Sequence, residues 1–251
     1  MTNTESDDSS LSRQGRNVTM RVILWDLDGT LADTQAVHFT AWQNVMNGLG
    51  VEYTHDMFLH DFGQSNGEVL TRLLGTGATP ATISAISRRK EMAFRALLPE
   101  AQVTLLPGVQ EWLTRFQSEG VRQVVSSSGA MANIVALIAK LEIGDFFMSL
   151  MSAHGLAQAK PHPAIFLNSA AAVGASPADC IVIEDSLAGV EAARRAGMAC
   201  IAVGRVSTSP NLQRLITSIY GPPCLPLGEL TALTSHDVEI LGNAALGTFV
   251  G

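Results

Sequence analysis

The chain has 251 residues, 47% of them hydrophobic and 16% charged, with a formal net charge of −7. That length exceeds one small domain and supplies a sizeable core, while charged residues fall below the roughly 25% of an average soluble domain. The acidic balance excludes a basic nucleic-acid footprint, and no apolar run reaches the roughly 18 residues of a membrane span.

Residues 1–17 are polar and acidic, unlike a secretory leader, and are expected to form a disordered tail. Val22–Trp25 is a short apolar run that stops at Asp26-Leu27-Asp28-Gly29-Thr30, the pattern of a buried strand ending in a turn. No strand pattern follows between 35 and 106. Helices are expected there at 36–49, 66–74 and 83–98, the first with Phe39, Trp42, Val45, Met46 and Leu49 as its apolar face. Arg88, Arg89 and Lys90 form a tight basic run that reads as a solvated helix face.

From 107 the chain alternates. Val109, Trp112, Leu113 and Phe116 have helical spacing, as do Ile134, Leu137, Ile138 and Leu141, and more loosely Ile165, Leu167, Ala171 and Val173. Apolar strand-like runs lie at 121–125, 146–151, 180–183 and 199–203, and an alanine-rich helix at 190–196. Such alternation predicts a parallel sheet with right-handed crossovers. The expected fold class is α/β, a Rossmann-like parallel-sheet core over 18–34 and 107–232. A helical cap over 35–106 interrupts it after the first strand. A last edge strand is expected within 220–230 and a tail over 233–251. Cys180, Cys200 and Cys224 show no metal-ligand or paired spacing, which suits free thiols in a reducing cytoplasm.

Ligand sites in parallel sheets collect outside the carboxyl ends of the strands. Asp26 and Asp28 follow the first run, Ser126 the second, and Glu184 and Asp185 a later one, with Lys160 on a loop between Ala159 and Pro161. Four carboxylates brought together repel one another and need a cation. With no His or Cys cluster beside them, Mg²⁺ suits them better than zinc. Lys160 and Mg²⁺ would neutralise a bound anion, and Ser126 with the N–H groups after it could hydrogen-bond that anion at a helix start. The most economical anion is a phosphoryl group. Two carboxylates across a tight turn can then divide the work, one attacking phosphorus and the other moving protons.

These residues resemble the haloacid dehalogenase superfamily, in the branch of phosphatases and β-phosphoglucomutases with a small helical cap. The resemblance rests on Asp26-Leu27-Asp28-Gly29-Thr30-Leu31, Ser126, Lys160-Pro161-His162-Pro163 and Glu184-Asp185-Ser186-Leu187-Ala188-Gly189-Val190, in that order. It implies Asp26 as nucleophile and Mg²⁺ ligand, and Asp28 as acid/base with its carbonyl on Mg²⁺. It also implies Ser126 and Lys160 on the phosphoryl oxygens, the backbone N–H groups of Leu27 and Ser127 beside them, and Asp185 on the metal. Glu184 is either a metal ligand or a partner through water.

The lysine loop departs from the family pattern, since Ala164 stands where an Asp usually follows Pro163. So does the cap: a β-phosphoglucomutase carries an arginine for the distal phosphate after Gly-x-Ser, and here Gly63-Gln64-Ser65 is followed by Asn66. A neutral amide replaces neither the charge nor the fork of a guanidinium. Asp33-Thr34 and the stretch His38 to Trp42 look mutase-like. His38 is either a satisfied helix histidine or a contributor to the hinge or proton transfer, and Trp42 is either cap packing or a substrate platform.

The expected function is therefore a Mg²⁺-dependent phosphatase acting on a small phosphorylated metabolite such as a sugar phosphate. A β-phosphoglucomutase-like mutase is the alternative. Intact Asp26, Asp28, Lys160 and Asp185 speak against a non-catalytic binding protein. Neither nucleic acid nor membrane is expected as a partner, and nothing in the sequence requires more than a monomer.

Overall fold

The computed structural model of the chain describes residues 21–218 and 221–245, so the tail expected over 1–17 lies outside the described residues. Strand β1 (Val22–Trp25) is followed by four helices, α1 (Gln35–Asn47), α2 (His55–Asp61), α3 (Asn66–Leu74) and α4 (Pro80–Leu97). Then come α5 (Val109–Ser118), β2 (Arg122–Ser127), α6 (Met131–Lys140), β3 (Ser149–Ser152), α7 (Ala164–Ala172) and β4 (Cys180–Glu184). The described chain ends with α8 (Leu187–Arg195), β5 (Ala199–Ala202), α9 (Pro210–Ser218), β6 (Cys224–Pro226) and α10 (Ser235–Ala245). The strands form one parallel sheet in the order β3-β2-β1-β4-β5-β6. The architecture is a Rossmann-like core with a helical cap inserted after the first strand.

Alternation along the strands supplies both faces of the sheet. Ile23, Trp25 and Val125 pack with Trp112 and Phe116 of α5 and Ile134 and Leu137 of α6 on one side. Val22, Leu24 and Val124 pack with Phe166 of α7 and Val190 of α8 on the other. The cap has an apolar centre of its own, built from Trp42, Met46, Tyr53, Phe58, Val69, Leu70 and Ile86. Among the described residues no helix is long and apolar enough to cross a membrane.

Several elements differ from the expectation, among them α9, which the sequence reading did not include. Helix α2 is too short to show a period, and the Thr54 hydroxyl, accepting from Met57 N–H at 3.3 Å, starts it. The run 146–151 splits into a 3₁₀ turn, Gly144–Phe146, and a strand that begins only at Ser149, because Phe146 and Phe147 pack against the core beneath the sheet. The segment expected as a C-terminal tail carries α10. Its Leu241 is buried in the core, and Arg21 Nη1 donates to Val238 O at 3.0 Å.

β1 is pinned to its neighbours by a buried polar bridge. Trp25 Nε1 donates to Gln123 Oε1 at 3.0 Å, and Gln123 Nε2 donates to Leu113 O at 3.0 Å. Gln123→Leu leaves the indole N–H buried and unpaired. It should lower stability by about 1–3 kcal/mol, read as an earlier urea midpoint with an unchanged slope.

Candidate active site

The register sets Trp25 level with Ile183, so β1 and β4 end side by side. Asp26 extends the ladder by one residue, its N–H donating to Ile183 O at 3.0 Å. The chain then turns, with Gly29 at φ 84°, and a Cβ there would fall 2.1 Å from Asp185 Oδ2. Only glycine allows the turn to press against Asp185. On the other strand Glu184 fills the space beside α8, where a Cβ on Gly189 would lie 1.9 Å from its carboxyl carbon. The Ser186 backbone N–H and hydroxyl donate to Glu184 Oε2 at 2.7 and 2.8 Å.

Lys160 joins the two strand ends. Its Nζ lies 2.6 Å from Asp26 Oδ1, 2.6 Å from Glu184 Oε1 and 3.5 Å from Ser126 O. The Lys160–Pro161 peptide is cis. Asp26, Leu27, Asp28, Ser127, Lys160, Glu184 and Asp185 border one cavity, which the cap closes over with His38, Trp42 and Asn66. Leu27 has a buried side chain, so it offers the cavity its backbone.

Ser126 and Ser127 stand differently at the end of β2. Its side chain is fully buried, and its hydroxyl donates to Ser169 Oγ of α7 at 2.8 Å instead of facing the cavity. Strand alternation turns the next residue the other way. Ser127 borders the cavity, and its Oγ accepts the Gly129 N–H at 2.9 Å, which leaves the hydroxyl proton to donate. Of the two hydroxyls, that of Ser127 borders the cavity.

Charge is unbalanced at the strand ends. Burial pushes the Asp26 carboxyl up to about 7, with Glu184 and Asp28 adding to the rise and Lys160 opposing it. Burial, Glu184 and Asp26 likewise push Asp185 well above the ordinary carboxylate range. The same carboxylates hold the Lys160 ammonium charged, outweighing its own burial. Among the described residues no group of three or more His, Cys, Asp or Glu side chains stands ready around one point. Mg²⁺ does not need one, because it keeps several waters and takes one or two carboxylates with substrate phosphate. Two carboxylates with excess negative charge fit that cation.

A second set of contacts holds Asp28. Its Oδ1 accepts from Thr34 Oγ1 at 2.7 Å and from His38 Nε2 at 3.1 Å. Lys90 Nζ lies 3.0 Å from His38 Nδ1. An ammonium can only donate, so Nδ1 is the acceptor and the proton sits on Nε2, toward Asp28. The ring stacks on Phe94 at 4.2 Å. Burial alone would raise the Asp28 carboxyl, but His38, Thr34 and Lys90 outweigh it and hold it low. Burial and Lys90 together push the His38 imidazolium down, which keeps the ring neutral.

The structure overturns the solvated face expected for the basic run. Arg88 and Arg89 are exposed, while Lys90 is 4% exposed and lies 5.6 Å above the Trp42 ring. The sequence carried a signal for this, because Ile86, Lys90 and Phe94 fall at i, i+4 and i+8 on one helical stripe. Trp42 packs in the cap centre beside Tyr53. Asn66 donates its amide to Glu91 Oε1 at 2.7 Å.

The chain is similar to known proteins over most of its length. The chain is 33% identical over 192 residues to "Beta-phosphoglucomutase" of Bacillus subtilis (strain 168), covering 74% of this chain and 84% of that one. It is 28% identical to "Fructose-1-phosphate phosphatase YqaB" of Escherichia coli (strain K12), covering 72% and 95%. The crystal structure of CbbY from Rhodobacter sphaeroides in complex with xylulose-(1,5)bisphosphate superposes with a TM-score of 0.67 at 27% identity, covering 73% of this chain and 86% of that one. A family model described as "Haloacid dehalogenase-like hydrolase" matches residues 23–203, and the chain belongs to that family, in its capped phosphatase and β-phosphoglucomutase-like branch.

Proposed function

We propose that the chain is a Mg²⁺-dependent phosphatase that hydrolyses a small sugar-phosphate monoester through an aspartyl-phosphate on Asp26. The observation that carries this reading is the pairing of two differently held carboxylates across one turn. Asp26 is pinned by Lys160 at 2.6 Å, and Asp28 is held by Thr34 and His38. The relatives named above act on, or are bound to, phosphorylated sugars, which supports that substrate class.

In this reading an Asp26 oxygen attacks phosphorus in line, and the bond to the ester oxygen breaks. Asp28 gives that oxygen its proton. A phosphate dianion entering beside Asp28 raises its affinity for a proton, which favours the acid form needed here. Asp28, now a carboxylate, takes a proton from water, and the water oxygen attacks the aspartyl-phosphate to release phosphate and regenerate Asp26. Lys160, the Ser127 hydroxyl and backbone N–H groups face the negative charge of the phosphoryl oxygens.

Asp26, Asp185 and the Asp28 backbone carbonyl would hold Mg²⁺, which supplies charge neutralisation at the phosphoryl group. Both Glu184 oxygens are already engaged, by Lys160 and Ser186, so its role is to position Lys160 and to reach the metal through water. Hydrolysis is preferred to mutase chemistry because Asn66 is neutral and its amide is turned to Glu91, so it offers no cation to a distal phosphate. The β-phosphoglucomutase relative at 33% identity favours the second reading, a sugar-phosphate mutase.

A sugar-phosphate panel assayed together for free phosphate and for isomer separates the two. Phosphate release without isomer is expected, and isomer without phosphate would replace hydrolysis by the mutase reading. Asp26→Asn should lower p-nitrophenyl phosphate turnover by at least about a thousandfold, and undiminished turnover would remove Asp26 as nucleophile. Metal linkage gives a pH test. Without metal, the folded state retains protons on Asp26 and Asp185 that the unfolded chain releases above its ordinary 3.8. The stability tied to those protons is present at low pH and is lost as pH rises toward about 7. Mg²⁺ binds the deprotonated carboxylates. Its stabilising effect in thermal melts should therefore be small at about pH 5 and grow through about pH 7. An equal shift at both would exclude these two residues as the metal site.

A further inference from the structure

We propose that Glu91 is a positioning residue for the acid/base carboxylate, transmitting the docking of cap helix α4 on core helix α6 to Asp28 through Lys90 and His38. The proposal rests on the phosphatase reading above, in which Asp28 moves the protons.

The contact begins at Asn133, a buried amide on α6. Its Nδ2 donates to Glu91 Oε2, and its Oδ1 accepts from Arg95 Nη1 at 2.7 Å. Glu91 and Arg95 stand four residues apart on α4, hence on one face of that helix. The amide finds an acceptor for its donor end and a donor for its acceptor end only when α4 lies on α6. Lifting α4 away breaks both bonds together.

Glu91 carries the contact inward. Lys90 Nζ lies 3.2 Å from its Oε1 and 3.4 Å from its Oε2, and Asn66 of α3 holds Oε1 at 2.7 Å. The Lys90 ammonium is buried against Trp42 and Phe94, 5.6 and 5.7 Å from their ring centres, and it forms an ion pair with Glu91. A buried cation whose counter-ion is removed does not keep its place. Lys90 in turn supplies the donor that makes His38 Nδ1 an acceptor, which directs the Nε2 proton at Asp28 Oδ1. The path from Asn133 to Asp28 therefore has no gap, and each link has a defined donor and acceptor. Removing the Glu91 charge frees Lys90, lets the imidazole turn or change tautomer, and loosens the carboxylate two residues from the nucleophile.

Glu91→Gln tests this, because it keeps the size of the side chain while removing the charge that fixes Lys90. Its single amide oxygen can accept from only one of Asn66 and Asn133, and the Lys90→Met background separates that loss from the effect on Lys90. With p-nitrophenyl phosphate and Mg²⁺, kcat should fall about ten- to a hundredfold, the cost of a misplaced reacting group, while KM changes little. Added to Lys90→Met, the same substitution should lower kcat no further, because its effect passes through Lys90. Asn133→Ser is the second variant and decides the matter should Glu91→Gln fail to fold. It removes the partner on α6 and should likewise lose its effect on kcat in Lys90→Met. An unchanged kcat, or an equal fall with and without Lys90, would make Glu91 a structural staple only and leave the phosphatase reading standing. Absence of wild-type turnover with any phosphomonoester would instead overturn that reading, and this proposal with it.

Discussion

The site depends on one ammonium group between two carboxylates. Lys160 touches Asp26 at the end of β1 and Glu184 at the end of the neighbouring β4, with the side chains of all three almost fully buried. Breaking a buried pair by removing one partner costs about 3–5 kcal/mol, so the lysine loop and both strand ends are fixed as one unit. Yet one positive charge cannot offset Asp26, Asp28, Glu184 and Asp185 together. Burial, with the neighbouring carboxylates adding to it, raises Asp26 and Asp185, and the deficit makes a divalent cation with a phosphate the natural completion of the site. The glycines serve the same end, since Gly29 and Gly189 occupy points where any side chain would collide with Asp185 or Glu184.

Asp28 lies outside this arrangement, although it is only two residues from Asp26. Its neighbours are Thr34 and His38, which belong to the start of the cap and not to the strand ends. Burial acts on both aspartates; it prevails at Asp26, which rises to about 7 despite Lys160, and is outweighed at Asp28 by His38, Thr34 and Lys90, which hold it below the ordinary carboxylate range. A nucleophile needs a group held in place for attack, and a proton carrier needs one whose charge responds to what binds beside it. In the proposed mechanism one turn supplies both, because its first aspartate is held at the strand ends and its second by the start of the cap.

Much of this was legible in the chain. The strands ending at Trp25 and Glu184 could be read because apolar runs stop abruptly at acidic residues, and that contrast survives without knowledge of tertiary contacts. Ser126 and Ser127 could not be separated in the same way. In a run of three serines the side-chain period of two decides which one faces the cavity, and a shift of one residue reverses the answer. Lys90 was hidden for a different reason. Beside Arg88 and Arg89 it looks like part of a charged surface, and only its phase on α4 between Ile86 and Phe94 marks it as buried. Helix α10 gave no signal because Leu241, the partly buried Val238 and hydrogen bonds from Arg21 hold it, not a long repeating apolar stripe.

The division of labour between sheet and cap follows from what each can hold still. Parallel strands buried on both faces fix backbone positions closely, so groups that must keep a fixed spacing, Asp26, Lys160, Glu184 and Asp185, stand at or beside strand ends. The groups around Asp28 stand instead on helices of the inserted cap, His38 on α1 and Lys90 and Glu91 on α4. Asn133 is the exception, a polar side chain on a core helix that completes its hydrogen bonds only with residues of the cap. On the proposed roles, closing the cavity to bulk water and setting the proton carrier then rest on the same contact. An enzyme that must transfer a phosphoryl group to water at one step, and keep water away at the step before, gains from making those two events one.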